Sequence, residues 1–140
     1  MLSWDQWQEK SESSLEASRI LLENNKPIEA ASRTYYAAYQ MVTAGLIKLK
    51  LDPRSEFGNW SHQETQTMYH THICQKASLG SKERVALTKL RLGFRNLFIT
   101  RHKADYGVAG DVNMLLAQAL WREANQLIKL LEKLIERGLL

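Results

Sequence analysis

The chain has 140 residues, of which 19 are Lys or Arg and 15 are Asp or Glu, for a formal charge of +4. This length predicts one domain over residues 1–140 with a core that folds without metals or disulfides, and the one cysteine excludes an internal disulfide and fits a reducing cytoplasm. No apolar run approaches the ~20 residues of a membrane span, and the first ten residues, with two Trp, one Asp and one Glu, do not resemble a secretory signal.

Two helices are predicted before residue 50. Ser3 and Gln6 have capping-box spacing, and apolar residues and serines then recur at helical spacing as far as Leu22. The serines on this face would let a neighbouring helix approach closely. Pro27 opens the second helix, which runs to about residue 50, because proline is well tolerated in a first turn. Residues 51–60 are rich in helix breakers and form a loop.

Three further helices are predicted after the loop. Ser61 and Glu64 form a second capping box, which starts a helix over 62–77. A fourth helix covers about 82–104 and ends at Asp105-Tyr106-Gly107. The fifth begins after Asp111, an expected N-cap, and reaches about residue 137. No strand-like alternation occurs, so the fold class is all-α: an up-and-down antiparallel bundle of four long helices plus one shorter helix.

The basic excess of the chain belongs to the fourth predicted helix. Between residues 82 and 103 there are seven basic residues and one acid, a formal charge of +6, and the rest of the chain carries −2. At 100° per residue, three of these arginines and one histidine form one straight stripe: Arg84, Arg91, Arg95 and His102. A stripe of this kind predicts an anionic partner, such as RNA or a nucleotide. The alternative is a row of arginines that only solvates the helix.

Apolar residues flank the stripe on both sides. The main apolar face of the helix contains Leu87, Leu90, Phe94, Leu97 and Phe98, and a narrower strip contains Val85, Leu92 and Ile99. One of these faces covers the core, and the other has no partner within a small bundle. The face without a partner therefore predicts a homodimer seam bordered by the basic stripe. Arg101 falls within the main apolar face, where a charge needs a partner, and Asp105 is the nearest acid. We interpret this pair as structural.

Three stretches in order resemble the HEPN domain family. Residues 30–39, AASRTYYAAY, are similar to its A-x-R-x-Y-Y-A pattern, and Ser61-His62 is similar to the S/T-H of one HEPN branch. Residues 101–107, RHKADYG, resemble the R-x-x-A-D-Y that closes the fourth helix of that branch. The resemblance covers about residues 3–137 and implies a helical bundle that is usually homodimeric. It also implies membership of a toxin–antitoxin or nucleotidyltransferase-associated system.

Many HEPN proteins are metal-independent ribonucleases restrained by a small nucleotidyltransferase antitoxin. Their site is an Arg, four to six intervening residues and a His, and Arg95 and His102 match this spacing at its long limit. A histidine titrates near neutrality and arginine carries fixed charge, so the pair suits cleavage of RNA at its 2′-hydroxyl. The stripe residues Arg84 and Arg91, with Tyr36, would bind the RNA or a nucleotide.

Two features depart from the catalytic pattern. The Arg of the R-x-x-A-D-Y branch is Arg101, which has no His downstream at the family spacing. Toxins modified by their partner carry a Tyr two residues after the His, where this chain has Ala104, so Tyr106 is the nearest modification candidate. The resemblance therefore leaves a second function open: a non-catalytic dimeric module that binds a nucleotidyltransferase, a nucleotide or RNA.

No metal or cofactor site is predicted. His70 and Cys74 are four residues apart, which is half of a zinc site, but no second pair has matching spacing. His62 follows an N-cap and is expected to order the loop by a hydrogen bond. Tyr35 and Tyr39 are expected to pack in the core.

Overall fold

The computed structural model describes residues 1–107 and 110–140, and these are mostly helical. No strand occurs in this part of the chain, so the prediction of an all-α fold is confirmed. The helices are α1 (Trp4–Glu23), α2 (Pro27–Lys48), α3 (His62–Met68), a π-helix (Tyr69–Cys74), α4 (Ser81–Tyr106) and α5 (Met114–Glu136).

The core is built around α2, which packs against α1, α4 and α5. Most of its residues are buried, among them five alanines, two threonines and one glycine, which allow close packing on several sides. Serine hydroxyls of α1 satisfy carbonyl groups of α2: Ser11 Oγ donates to Ala37 O at 2.6 Å, and Ser18 Oγ donates to Ala30 O at 2.9 Å. The small polar face of α1 therefore lies against α2, as the spacing of the serines predicts.

Two helix boundaries differ from the sequence prediction. The helix predicted over 62–77 is α-helical only to Met68 and continues as a π-helix to Cys74, because hydrophobic periodicity does not distinguish the two kinds of turn. Asp111 is not the N-cap of α5: the Asn113 side chain accepts from Leu116 N at 2.9 Å, and α5 begins at Met114. Asp and Asn cap about equally well, so the sequence does not choose between them.

The capping box of α3 forms as predicted and fixes the residue that follows it. Glu64 N donates to Ser61 Oγ at 3.2 Å, and Ser61 N donates to Glu64 Oε2 at 3.1 Å. The loop before α3 is held by Tyr39, whose hydroxyl donates to Trp60 O at 2.6 Å and accepts from Asn59 Nδ2 at 2.8 Å. These contacts place His62, the first residue of α3, against α2.

Candidate functional site

The basic stripe of α4 lies on the surface. Arg84, Arg91, Arg95 and His102 are all exposed. Arg84 Nη2 donates to Ala77 O at 3.0 Å, while Arg95 makes no hydrogen bond or ion pair within residues 1–107 and 110–140. Arg95 and His102 share a helix face two turns apart, about 10 Å along the axis. The stripe is therefore a line of accessible basic side chains rather than a set of internal ion pairs.

One apolar flank of the stripe is buried and the other is exposed. Leu87, Phe94 and Leu97 are at most 1% exposed and pack in the core. The second strip is open to solvent, with exposed fractions of 53% for Val85, 65% for Leu92 and 42% for Ile99. Ile99 also lines a shallow groove of about 290 Å³ between α4 and α5 with Leu116. The exposed strip is thus a row of three apolar side chains, each two turns from the next, beside the basic stripe.

Arg101 lies on the other side of α4 and is 8% exposed. Its Nη1 donates to Tyr36 Oη at 3.1 Å and is 3.5 Å from Asp105 Oδ2. The guanidinium carbon stands 5.6 Å from the ring centre of Tyr35 and 5.8 Å from that of Tyr36. Its Nε is buried and has no hydrogen-bond partner in the described part of the chain. The predicted pair of Arg101 and Asp105 is therefore brought together, but it leaves some of the hydrogen-bond donors of the guanidinium unpaired.

His62 belongs to the same cluster, although the sequence prediction gave it only a hydrogen bond to the loop. Its Nδ1 lies 2.6 Å from the hydroxyl of Tyr35, on α2. Burial lowers the pKa of His62, and the nearby positive charges of Arg101 and His102 lower it further. The neutral imidazole is thus the favoured form in the folded protein. In the sequence, the signal for His62 is its position directly after the Ser61 cap. The sequence does not identify Tyr35 as its partner, because that contact depends on how α2 and α3 pack.

Phe98 connects His62 to the stripe. The ring centres of His62 and Phe98 are 6.4 Å apart, and those of Phe98 and His102 are 5.1 Å apart. Tyr36 is half-buried, with its ring centre 5.9 Å from that of His62. The three stretches that carry the HEPN resemblance therefore meet in space: the tyrosines of α2, the start of α3 and the end of α4.

Tyr106, the predicted modification candidate, is 79% exposed, and its ring centre is 6.0 Å from that of His102. The hydroxyl is accessible beside the proposed catalytic histidine. Two turns of helix separate His102 from Arg95. The structure thus groups His102 and Tyr106 with the His62–Arg101 cluster, and leaves Arg95 further along the stripe.

Within residues 1–107 and 110–140, the remaining chemistry-bearing residues form no second centre. Among the described residues, no three His, Cys, Asp or Glu side chains are gathered where they could hold a metal ion. Cys74 is buried, and burial raises the pKa of its thiol. None of the helices in the described ranges is long and apolar enough to cross a membrane.

Comparisons of the chain with protein families and with curated proteins found no match.

Proposed function

We propose that this chain is a HEPN-like ribonuclease: a single up-and-down antiparallel bundle of four long helices and one shorter helix that cleaves RNA without a metal ion. The observation that carries this proposal is the exposed line Arg84, Arg91, Arg95 and His102 on α4. Exposed arginines aligned on one helix face suit a phosphate backbone, which attracts them irrespective of base sequence. His102 supplies an imidazole, the side chain that most often serves as a general acid or base.

The reaction is a transesterification within the RNA strand. His102 takes the proton of a 2′-hydroxyl, and the 2′-oxygen then attacks the adjacent phosphorus. The new P–O2′ bond forms as the P–O5′ bond breaks, and the leaving 5′-oxygen takes a proton from water. The products are a 2′,3′-cyclic phosphate and a 5′-hydroxyl end. The flexible side chain of Arg95 stabilises the charge that builds on the phosphoryl oxygens, while Arg84, Arg91 and Tyr36 hold the strand.

The active form is proposed to be a homodimer joined through the exposed strip of Val85, Leu92 and Ile99. Burying this strip would remove from water three large side chains that are 42–65% exposed in the single chain. Two basic stripes would then border one cleft that accepts single-stranded RNA. The biological setting proposed with it is cytoplasmic: a toxin–antitoxin pair in which a small nucleotidyltransferase restrains the nuclease, with Tyr106 as the modified residue.

The test is cleavage of single-stranded RNA by the purified protein in the presence of EDTA. We expect cyclic-phosphate ends from the wild type, and loss of cleavage in both His102→Ala and Arg95→Ala with unchanged circular dichroism. His72→Ala and Arg122→Ala are matched controls, because they remove a histidine and an arginine that lie off the stripe. Cleavage retained in both stripe variants would refute the catalytic assignment.

The alternative, a non-catalytic module that binds RNA, a nucleotide or a nucleotidyltransferase, is favoured by the distance of about 10 Å along the helix between Arg95 and His102. It predicts salt-dependent RNA binding, weakened by Arg84→Ala or Arg91→Ala, with no turnover. The same EDTA assay therefore separates the two functions.

A further inference from the structure

A second imidazole stands beside the proposed site and takes no part in the reaction described above. His62 begins α3, and its ring contacts those of Tyr36 and Phe98 at centre-to-centre distances of 5.9 and 6.4 Å. His102 packs on the same Phe98 at 5.1 Å. The Arg101 guanidinium lies over Tyr36. Three basic side chains from α3 and α4 thus surround one pair of aromatic rings.

The hydroxyl of Tyr35 fixes which nitrogen of His62 carries the proton. Tyr35 is fully buried, and its hydroxyl has His62 Nδ1 as its hydrogen-bond partner within the described ranges, at 2.6 Å. Burial raises the pKa of Tyr35, so the phenol keeps its proton. If Nδ1 donated, the tyrosine O–H would be left unsatisfied in the core, which is costly. Tyr35 therefore donates, and Nδ1 accepts.

The remaining ring nitrogen is then an uncharged donor. Burial and the charges of Arg101 and His102 lower the pKa of His62, so the imidazole is neutral at pH 7. With Nδ1 accepting, the single ring proton lies on Nε2. In the part of the chain that the structure describes, Nε2 has no hydrogen-bond partner and is not fully enclosed by the protein.

We propose that His62 is a phosphate-binding residue whose Nε2–H donates to a non-bridging oxygen of the RNA strand held at His102, with Tyr35 as its positioning residue. The ligand class is a phosphodiester, and in this respect the assignment rests on the proposed function. His62 transfers no proton in this role. It offers a fixed donor without an extra charge, next to cations that already supply the electrostatic attraction.

A pair of amide variants tests this assignment. Glutamine places its side-chain nitrogen near the position of imidazole Nε2, whereas asparagine places its amide near Nδ1. His62→Asn therefore keeps a partner for Tyr35 and loses the outward donor, while His62→Gln keeps the donor. The probe is a fluorescent 2′-O-methyl oligoribonucleotide, which cannot be cleaved because it lacks the nucleophile, and affinity is read by fluorescence anisotropy. Circular dichroism checks the fold of each variant, and His72→Gln is the control.

We expect His62→Asn to bind about tenfold more weakly and His62→Gln to stay within about twofold of the wild type, since a hydrogen bond to a charged group has about that effect. Equal affinities of the Asn and Gln variants would overturn the donor assignment. Loss of cleavage of unmodified RNA in His62→Gln with binding retained would also overturn it, because His62 would then transfer a proton. If the wild type cleaves RNA and the two variants do not differ, only this inference fails. If the wild type neither binds nor cleaves RNA, the proposed function fails with it.

Discussion

Replacing Arg101 with methionine tests whether its guanidinium supports the fold or the site. Three kinds of contact stabilise the guanidinium in the folded protein. A charged hydrogen bond to Tyr36 contributes about 1.5–3 kcal/mol, and stacking on two tyrosine rings contributes about 0.5–1 kcal/mol each. A partly exposed ion pair with Asp105 contributes under about 1 kcal/mol. Opposing them is the desolvation of a cation that is 8% exposed, which costs several kcal/mol and is worsened by the unpaired Nε.

These contributions nearly cancel, and methionine keeps an unbranched apolar stem with no polar group. Neither former partner becomes an unsatisfied buried polar group, because Tyr36 is half-buried and Asp105 is exposed, so water can replace the lost contact. We therefore expect the free energy of unfolding of Arg101→Met, measured by urea denaturation, to lie within about 1 kcal/mol of the wild type. RNA affinity, by contrast, should fall by about fivefold to tenfold, because the positive potential beside His62 and His102 is reduced.

Arg122→Met, which removes an exposed arginine of α5, is the matched control and should change neither quantity. A loss of about 3 kcal/mol or more in Arg101→Met, of the size seen when a needed buried pair is broken, would refute this reasoning. Arg101 would then be a structural residue only. If Arg101→Met is stable and its RNA affinity is unchanged, Arg101 does not contribute to RNA binding.

Two further predictions concern assembly and pH. Leu92→Glu should convert the proposed dimer to monomer in sedimentation velocity without lowering the thermal midpoint, because Leu92 is 65% exposed in the single chain and each buried Leu contributes about 1.5–3 kcal/mol. Ile20→Glu on α1 is its control, and a dimer that survives Leu92→Glu contradicts the seam. Glu132→Gln should raise the thermal midpoint at pH 7–8, because burial raises the pKa of Glu132 and Oε1 is buried without a partner. The carboxylate is then disfavoured in the fold above its pKa, so the gain should shrink as pH falls toward about 4, and a gain independent of pH would contradict this account.

Local signals in the sequence predicted much of the fold. The two capping boxes, Pro27 and the 3.6-residue period located the long helices to within a few residues. The stripe on α4 followed from angular spacing alone, since a helix of known phase fixes which side chains share a face. The burial of Arg101 followed from the same construction.

What the sequence did not predict depends on contacts between distant segments. His62 was expected to bond the loop, yet its partner is Tyr35, 27 residues earlier, because the packing of α3 on α2 decides it. Tyr39 fulfils the loop-ordering role instead. The sequence also did not predict the π-helix over Tyr69–Cys74 or the choice of Asn113 over Asp111, because the hydrophobic period does not distinguish π from α turns and Asp and Asn cap about equally well.

The crowding of like charges on α4 links folding to ligand binding. Arg91 and Arg95 are exposed one turn apart, a spacing at which equal charges repel by a few tenths of a kcal/mol. In the free protein this repulsion lowers the free energy of unfolding, and mobile counterions screen it. A polyanion laid along the stripe would replace those ions, and whatever binds only the folded state stabilises it by mass action. The like charges of α4 that lower the free energy of unfolding of the free protein are thus the groups through which a bound RNA strand would raise it.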